Sequence, residues 1–209
     1  HYVNLGYQTY FVSSIATDML RAMNFDFFRI GELKSSFQEV EPVMRNTDFL
    51  SFDISSIKSS YAPANVHSSP NGLNSEEACK VMHYAGLSDK LSAVGLFEYN
   101  QSLDLTGHTS QLLSQMIWYF IEGYKMRKKE LNPNLKECIK YTVSFEDEKN
   151  LIEFYKSQNS GRWWMGVPFK KEGENKIQNY FVACSYKDYE IANKGEVPDR
   201  WLKTYNKFI

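Results

Sequence analysis

The sequence predicts an α/β domain with a mainly parallel sheet, and three observations carry that expectation. Apolar runs of strand length alternate with segments of helical periodicity from Tyr2 to Lys129. One such run, Phe49 to Ile54, is short and bulky and suits a strand buried on both faces. It leads into Ser, Pro, Asn and Gly residues from Ser55 to Gly72, which continue neither strand nor helix, so the chain leaves the sheet in a long loop. In open α/β sheets, sites form just outside the carboxyl ends of strands, and Asp53 stands at that junction.

The elements follow in order. Tyr2 to Val12 reads as a strand, with Gly6 allowing a bend. Ser13 or Ser14 caps a helix reaching about Asn24, with Ile15, Met19 and Ala22 at helical spacing. Phe25 to Ile30 is a short strand. Glu32 to Asn46 is a helix presenting Leu33, Phe37, Val40 and Met44, with a boundary or kink expected at Pro42. After the loop, Asn74 and Glu77 form a capping-box start for a helix to Ala85, with Gly86 as its stop. Leu91 to Tyr99 is a strand, and Thr109 to Lys129 a helix whose apolar face is Leu112, Leu113, Met116, Ile117, Phe120, Ile121 and Tyr124.

Beyond Asn132-Pro133 the pattern changes. Lys140 to Phe145 and Leu151 to Tyr155 alternate around a polar E-D-E-K-N turn, which predicts a β-hairpin. R-W-W-M-G-V-P sets two tryptophans near Pro168, Lys170 to Lys176 reads as a charged loop, Tyr180 to Ala183 as a strand, and V-P-D-R-W opens a terminal helix. Trp163, Trp164 and Trp201 are expected to cover a sheet face, with a ligand-stacking surface as the alternative. The division is therefore an α/β portion over 1–130 and a mixed β/α extension over 131–209.

With 209 residues, 43% hydrophobic, the chain has enough apolar material for a sizeable core. Its net charge of −1 supplies no basic field for nucleic acid. The longest apolar stretch, Leu112 to Tyr124, is broken by Ser114, Gln115, Glu122 and Gly123, so no membrane span is expected, and no signal peptide is visible. Cys79, Cys138 and Cys184 lack any C-x-x-C pairing and read as reduced thiols of a cytoplasmic protein. Lys125, Arg127, Lys128 and Lys129 lie at a helix C-terminus, where they complement the dipole. His67, His83 and His108 fall in no metal-binding spacing and read as surface or satisfied core residues.

S-F-D-I-S, then A-P, P-N-G-L, N-S-E-E-A and V-G-L-F-E-Y-N, in that order and spacing between Asn4 and Tyr124, resemble the arginase, agmatinase and formimidoylglutamase family of metal-dependent ureohydrolases, with the formimidoylglutamase-like branch nearest. The resemblance implies an arginase-like three-layer α/β fold with a mainly parallel sheet, represented by its C-terminal portion and followed by the mixed extension. It further implies a D-x-D strand end at which both aspartates bind a pair of Mn2+ ions. This sequence matches the first position at Asp53, places Ser55 at the second, and has Lys58 where a later family Asp falls. A serine hydroxyl brings no negative charge to such a site. Lys58 either neutralises Asp53 or points to water. Glu98, in F-E-Y-N, matches the carboxylate that holds the cationic amidinium or guanidinium of a small substrate.

The family sheet has eight strands and a preceding segment with a His ligand and D-x-H-x-D, and neither ligand motif occurs in these residues. The chain also begins with His1 rather than Met, so a truncated, processed or partly reported product is expected, inactive by itself and associated with a complementary N-terminal segment or a second copy. Two functions follow from the resemblance: a metal-dependent hydrolase of linear amidines or guanidines such as formimidoylglutamate, or a non-catalytic arginase-fold protein acting in binding or assembly.

Overall fold

The computed structural model describes residues 1–145, 151–170, 173 and 177–208. The chain forms two compact units, His1–Lys129 and Glu130–Ile209.

In the first unit, strand β1 (Val3–Tyr7) is followed by a 3-10 turn over Thr9–Phe11 and helix α1 (Ser14–Ala22), which Ser13 caps through its hydroxyl. The expected strand to Val12 is thus shortened, with the chain turning after Tyr7. Strand β2 (Asp26–Arg29) pairs in parallel with β1. Helices α2 (Ile30–Ser35) and α3 (Val40–Arg45) come next, separated by Ser36 and a 3-10 turn over Phe37–Glu39. The break expected at Pro42 therefore lies upstream of it. Pro42 occupies the third position of α3, where its missing N–H would have had no intrahelical partner.

Strand β3 (Phe49–Asp53) runs into a 3-10 turn over Ile54–Ser56 and then the long loop. Far from loose, the loop supplies core: Ile54, Ile57, Ala62 and Leu73 are buried in the same cluster as Phe52, Met44 and Met82. Its two ends meet in short parallel bridges, Ile57 with Leu73 and Lys58 with Ser69. Gly72 makes that closure, because a Cβ there would lie 2.4 Å from the carbonyl oxygen of Ser56.

Helix α4 (Ser75–Leu87) starts with the reciprocal Asn74/Glu77 capping box, at 2.7 and 2.8 Å. Strand β4 (Ala93–Phe97) pairs in parallel with β3, and helix α5 (His108–Lys125) packs back on α4. Gly86, expected to stop α4, is instead inside it. A Cβ on Gly86 would meet the Phe120 carbonyl oxygen at 2.2 Å, and one on Gly123 would meet that of His83 at 2.3 Å. These two glycines let the helix backbones touch, a tertiary demand that reads locally like a stop signal. Arg127 then donates to the carbonyls of Gly86 and Leu91, so part of the basic run serves the end of α4 rather than that of its own helix.

The parallel pairs β1–β2 and β3–β4 are separate two-stranded sheets. Phe52 is the single buried residue of β3, while Phe49 is 54% exposed. Burial on both faces, expected from composition, is therefore only half realised in the described residues.

The second unit is a four-stranded antiparallel sheet in the order β5 (Cys138–Ser144), β6 (Leu151–Ser157), β7 (Trp163–Lys170) and β8 (Ile177–Cys184), followed by helices α6 (Tyr186–Asn193) and α7 (Asp199–Tyr205). The E-D-E-K-N turn and most of the expected charged loop lie outside the described residues. Trp163 and Trp164 belong to a buried central strand, and the Trp201 indole donates to the carbonyl of Gly166 at 2.9 Å while its ring stacks on Tyr205. Trp163 and Trp201 pack in the core of this unit, and Trp164 is buried. Helix α6 was not expected, although Ser185 and Asp188 make a capping box that announces it.

Candidate functional site at the ends of two parallel strands

β3 and β4 pair in register from Phe49 opposite Ala93 to Asp53 opposite Phe97. Asp53 and Glu98 therefore leave the same end of the sheet from adjacent strands, whose spacing is about 4.8 Å. Both residues are exposed.

Asp53 ends its strand as the cap of the next turn. Its carboxylate accepts the Ser55 N–H at 2.8 Å, and its carbonyl accepts the Ser56 hydroxyl at 2.6 Å. Ser55 is thereby tied to Asp53 through its backbone. Lys58 is held by its own backbone, with N–H to the Leu73 carbonyl at 2.9 Å. Among the described residues no ion pair joins Lys58 to Asp53, so the neutralisation weighed from sequence does not form in this conformation.

Glu98 has a left-handed backbone, φ +68°. For a residue with a Cβ this conformation costs roughly 1–2 kcal/mol. Its carbonyl accepts from Asn65 Nδ2 at 2.9 Å, and Asn65 is buried in the loop that follows β3. The loop is held further by Ala64, whose N–H donates to the buried Thr109 hydroxyl at 3.1 Å and whose carbonyl accepts from Asn100 at 3.0 Å. Asp104 then anchors the start of α5 by accepting the N–H groups of Thr109 and Ser110. Burial alone would raise the Asp104 carboxyl, but the hydrogen bonds from Ser110, Thr109 and Tyr99 hold it below the usual carboxylate range. Asn65, Thr109 and Asp104 escaped the sequence reading because no spacing marks them; Asn65 and Thr109 act through backbone groups brought near only by folding, and Asp104 through amides five and six residues ahead.

His67 and His108 are exposed, and His83 lies on α4 with Nδ1 3.4 Å from a Glu122 oxygen. His83, Cys79, Tyr119 and Glu122 line a groove of about 490 Å3 formed by α4 and α5, which includes none of the strand-end residues. Cys79, Cys138 and Cys184 form no disulfide, and burial pushes the Cys79 thiol up, as it does for Cys138 together with Glu130 and Glu137. Among the described residues no three His, Cys, Asp or Glu side chains are grouped to hold a metal ion. Asp53 with its carboxylate turned to the Ser55 N–H, beside a neutral Ser55 hydroxyl, does not by itself fit a two-ion centre. No helix in the described residues is long and apolar enough to cross a membrane.

Parallel strands with their loops and carboxylates gathered at one end define an α/β protein of the strand-end-site class. The family model described as Arginase family matches residues 1–122, more than half of the chain, and the chain belongs to that family. No curated protein sequence matches it. Formiminoglutamase from Trypanosoma cruzi is similar at 20% identity and a TM-score of 0.56, over 60% of this chain and 45% of that one. A structure of the same enzyme with Mn2+ gives a TM-score of 0.55. Formimidoylglutamase from Bacillus subtilis has the same identity and a TM-score of 0.55, over 60% and 42% of the two chains. The likeness is one of fold, and this chain spans less than half the length of these relatives. The fold is the arginase-like α/β architecture with parallel sheets, with a C-terminal antiparallel sheet added.

Proposed function

We propose that the chain carries the strand-end site of a formimidoylglutamase-like hydrolase of linear amidines or guanidines, with Glu98 receiving the planar cation and Asp53 at the position of a metal-binding carboxylate. The register of β3 and β4 carries this reading, because it brings Asp53 and Glu98 to the same end of adjacent strands in a chain of the arginase family. An amidinium offers two parallel N–H donors, which one carboxylate accepts together, and the exposed Glu98 is accessible for that pairing.

Manganese belongs to the proposed lineage, and Mn2+ accompanies one of the similar enzymes. When bound, such ions lower the pKa of a water and supply a hydroxide. The residues described here do not fit that pair of ions, so residues 1–209 alone are expected to bind the cation without hydrolysing it. Elemental mass spectrometry after manganese loading and desalting tests this, beside Ser55→Asp. Retention of about two ions per chain by the unaltered protein, with ammonia released from acetamidine, would overturn the expectation of inactivity.

A second reading, a non-catalytic arginase-fold component of an assembly, is favoured by Ser55 in place of a charged ligand. It predicts that the unaltered protein holds no ion and that Ser55→Asp regains ion binding, as for a scaffold that has given up its metal. Under both readings the partner is a complementary strand-bearing segment or a second copy.

A further inference from the structure

We infer that Asn65 is a positioning residue that holds Glu98 in the conformation from which its carboxylate meets a planar cation; this rests on the role proposed above for Glu98. Asn65 is only 4% exposed, and both ends of its amide are used. Nδ2 donates to the Glu98 carbonyl at 2.9 Å, and Oδ1 accepts the His67 N–H at 2.6 Å. One partner only accepts and the other only donates, which sets the orientation of the amide.

Among the described residues, the bond reaches the one exposed strand-end carboxylate whose backbone is left-handed. In a continuing strand, side chains alternate between faces, so Glu98 would point opposite to Phe97. The left-handed turn breaks that alternation and re-aims the carboxylate. The Glu98 carbonyl belongs to the peptide plane on its C-terminal side, and a donor fixed against that oxygen holds the plane that the turn has rotated. Asn65 is itself fixed, because the residue before it, Ala64, is fastened through its N–H to Thr109 and through its carbonyl to Asn100. Loop, strand end and the start of α5 therefore converge on the Glu98 backbone, while its carboxylate is exposed and, among the described residues, meets no side-chain or backbone donor. That arrangement suits a residue kept ready for a ligand.

Asn65→Asp is nearly isosteric, keeps the acceptor for His67 and removes the donor to Glu98; Asn65→Ala removes both and serves as a second variant. Carbon-13 NMR reports the outcome in two ways, through the Glu98 Cα and Cβ shifts, which register a left-handed φ, and through its Cδ shift during titration with acetamidine. In the unaltered protein the Cδ signal should move saturably. In Asn65→Asp the Cα and Cβ shifts should leave the left-handed range and acetamidine affinity should fall about tenfold, as expected for the loss of one well-placed interaction. A purely structural Asn65 would alter the melting temperature without moving the Glu98 signature. Retention of both the left-handed shifts and the affinity in Asn65→Asp overturns the positioning role and leaves the proposed role of Glu98 intact. No Cδ response to acetamidine in the unaltered protein overturns both.

Discussion

Gly86 and Gly31 illustrate why a residue type has no fixed meaning. Gly86 lies where α4 touches α5, and a methyl group there would sit 2.2 Å from a backbone oxygen that has little room to move. Gly86→Ala should destabilise the first unit by about 1–3 kcal/mol, the range for overpacking a filled core, and lower its thermal midpoint. Gly31, inside α2, meets nothing within 4 Å, and Gly31→Ala should be neutral or stabilise by up to about 1 kcal/mol through helix propensity. Equal melting shifts for the two variants would refute the helix-contact account. Thr109 belongs to the same scale: Thr109→Val removes the acceptor of the Ala64 N–H and should cost about 1–3 kcal/mol, because that amide has no water to turn to.

Among the elements, the antiparallel sheet carries the clearest pH dependence. Glu153 on β6 accepts from Lys140 of β5 at 2.5 Å, from Tyr155 at 2.5 Å and from Asn179 of β8 at 2.9 Å. Burial would raise its carboxyl, but these donors hold it below the usual range. Tyr155 is pushed up to about 12 by burial first and by the Glu153 carboxylate second. The signs follow from linkage. The depressed Glu153 stabilises above the ordinary carboxylate pKa, and that contribution is lost as pH falls through its folded value. The raised Tyr155 stabilises below the ordinary phenol pKa, near 10, and its contribution is lost as pH rises towards 12. Denaturant titrations should show Tyr155→Phe reducing the alkaline loss between about pH 10 and 12. An unchanged alkaline limb would exclude Tyr155 as its source. In the first unit, Asp104 adds to acid lability alone, since its depressed carboxyl must protonate as α5 loses its cap.

At the scale of the whole molecule, two parallel pairs of two strands leave ladder groups on their outer edges, and two strands hold poorly on their own. Phe11, Ile15, Met19 and Met23 form an exposed apolar row along α1 and the turn before it, and Ile117, Ile121 and Tyr124 another on α5. Sedimentation velocity should therefore show self-association, or a co-purifying strand-bearing partner, and a purely monomeric protein across micromolar concentrations would contradict the expected association. The order of strands and helices in the first unit was readable because apolar spacing follows local backbone geometry: the capping box at Asn74 and the strand ends at Asp53 and Glu98 could be located from neighbouring residues alone. The Gly86–Gly123 contact, the service of Arg127 to a neighbouring helix, and the bond from Asn65 to Glu98 could not. Each joins residues more than thirty positions apart through backbone atoms, which every residue type shares and no motif records. Sequence by itself thus determined which residues stand at the strand ends. Only the tertiary structure decided how they are held, because packing and long-range hydrogen bonds, rather than local periodicity, choose the partners of a loop.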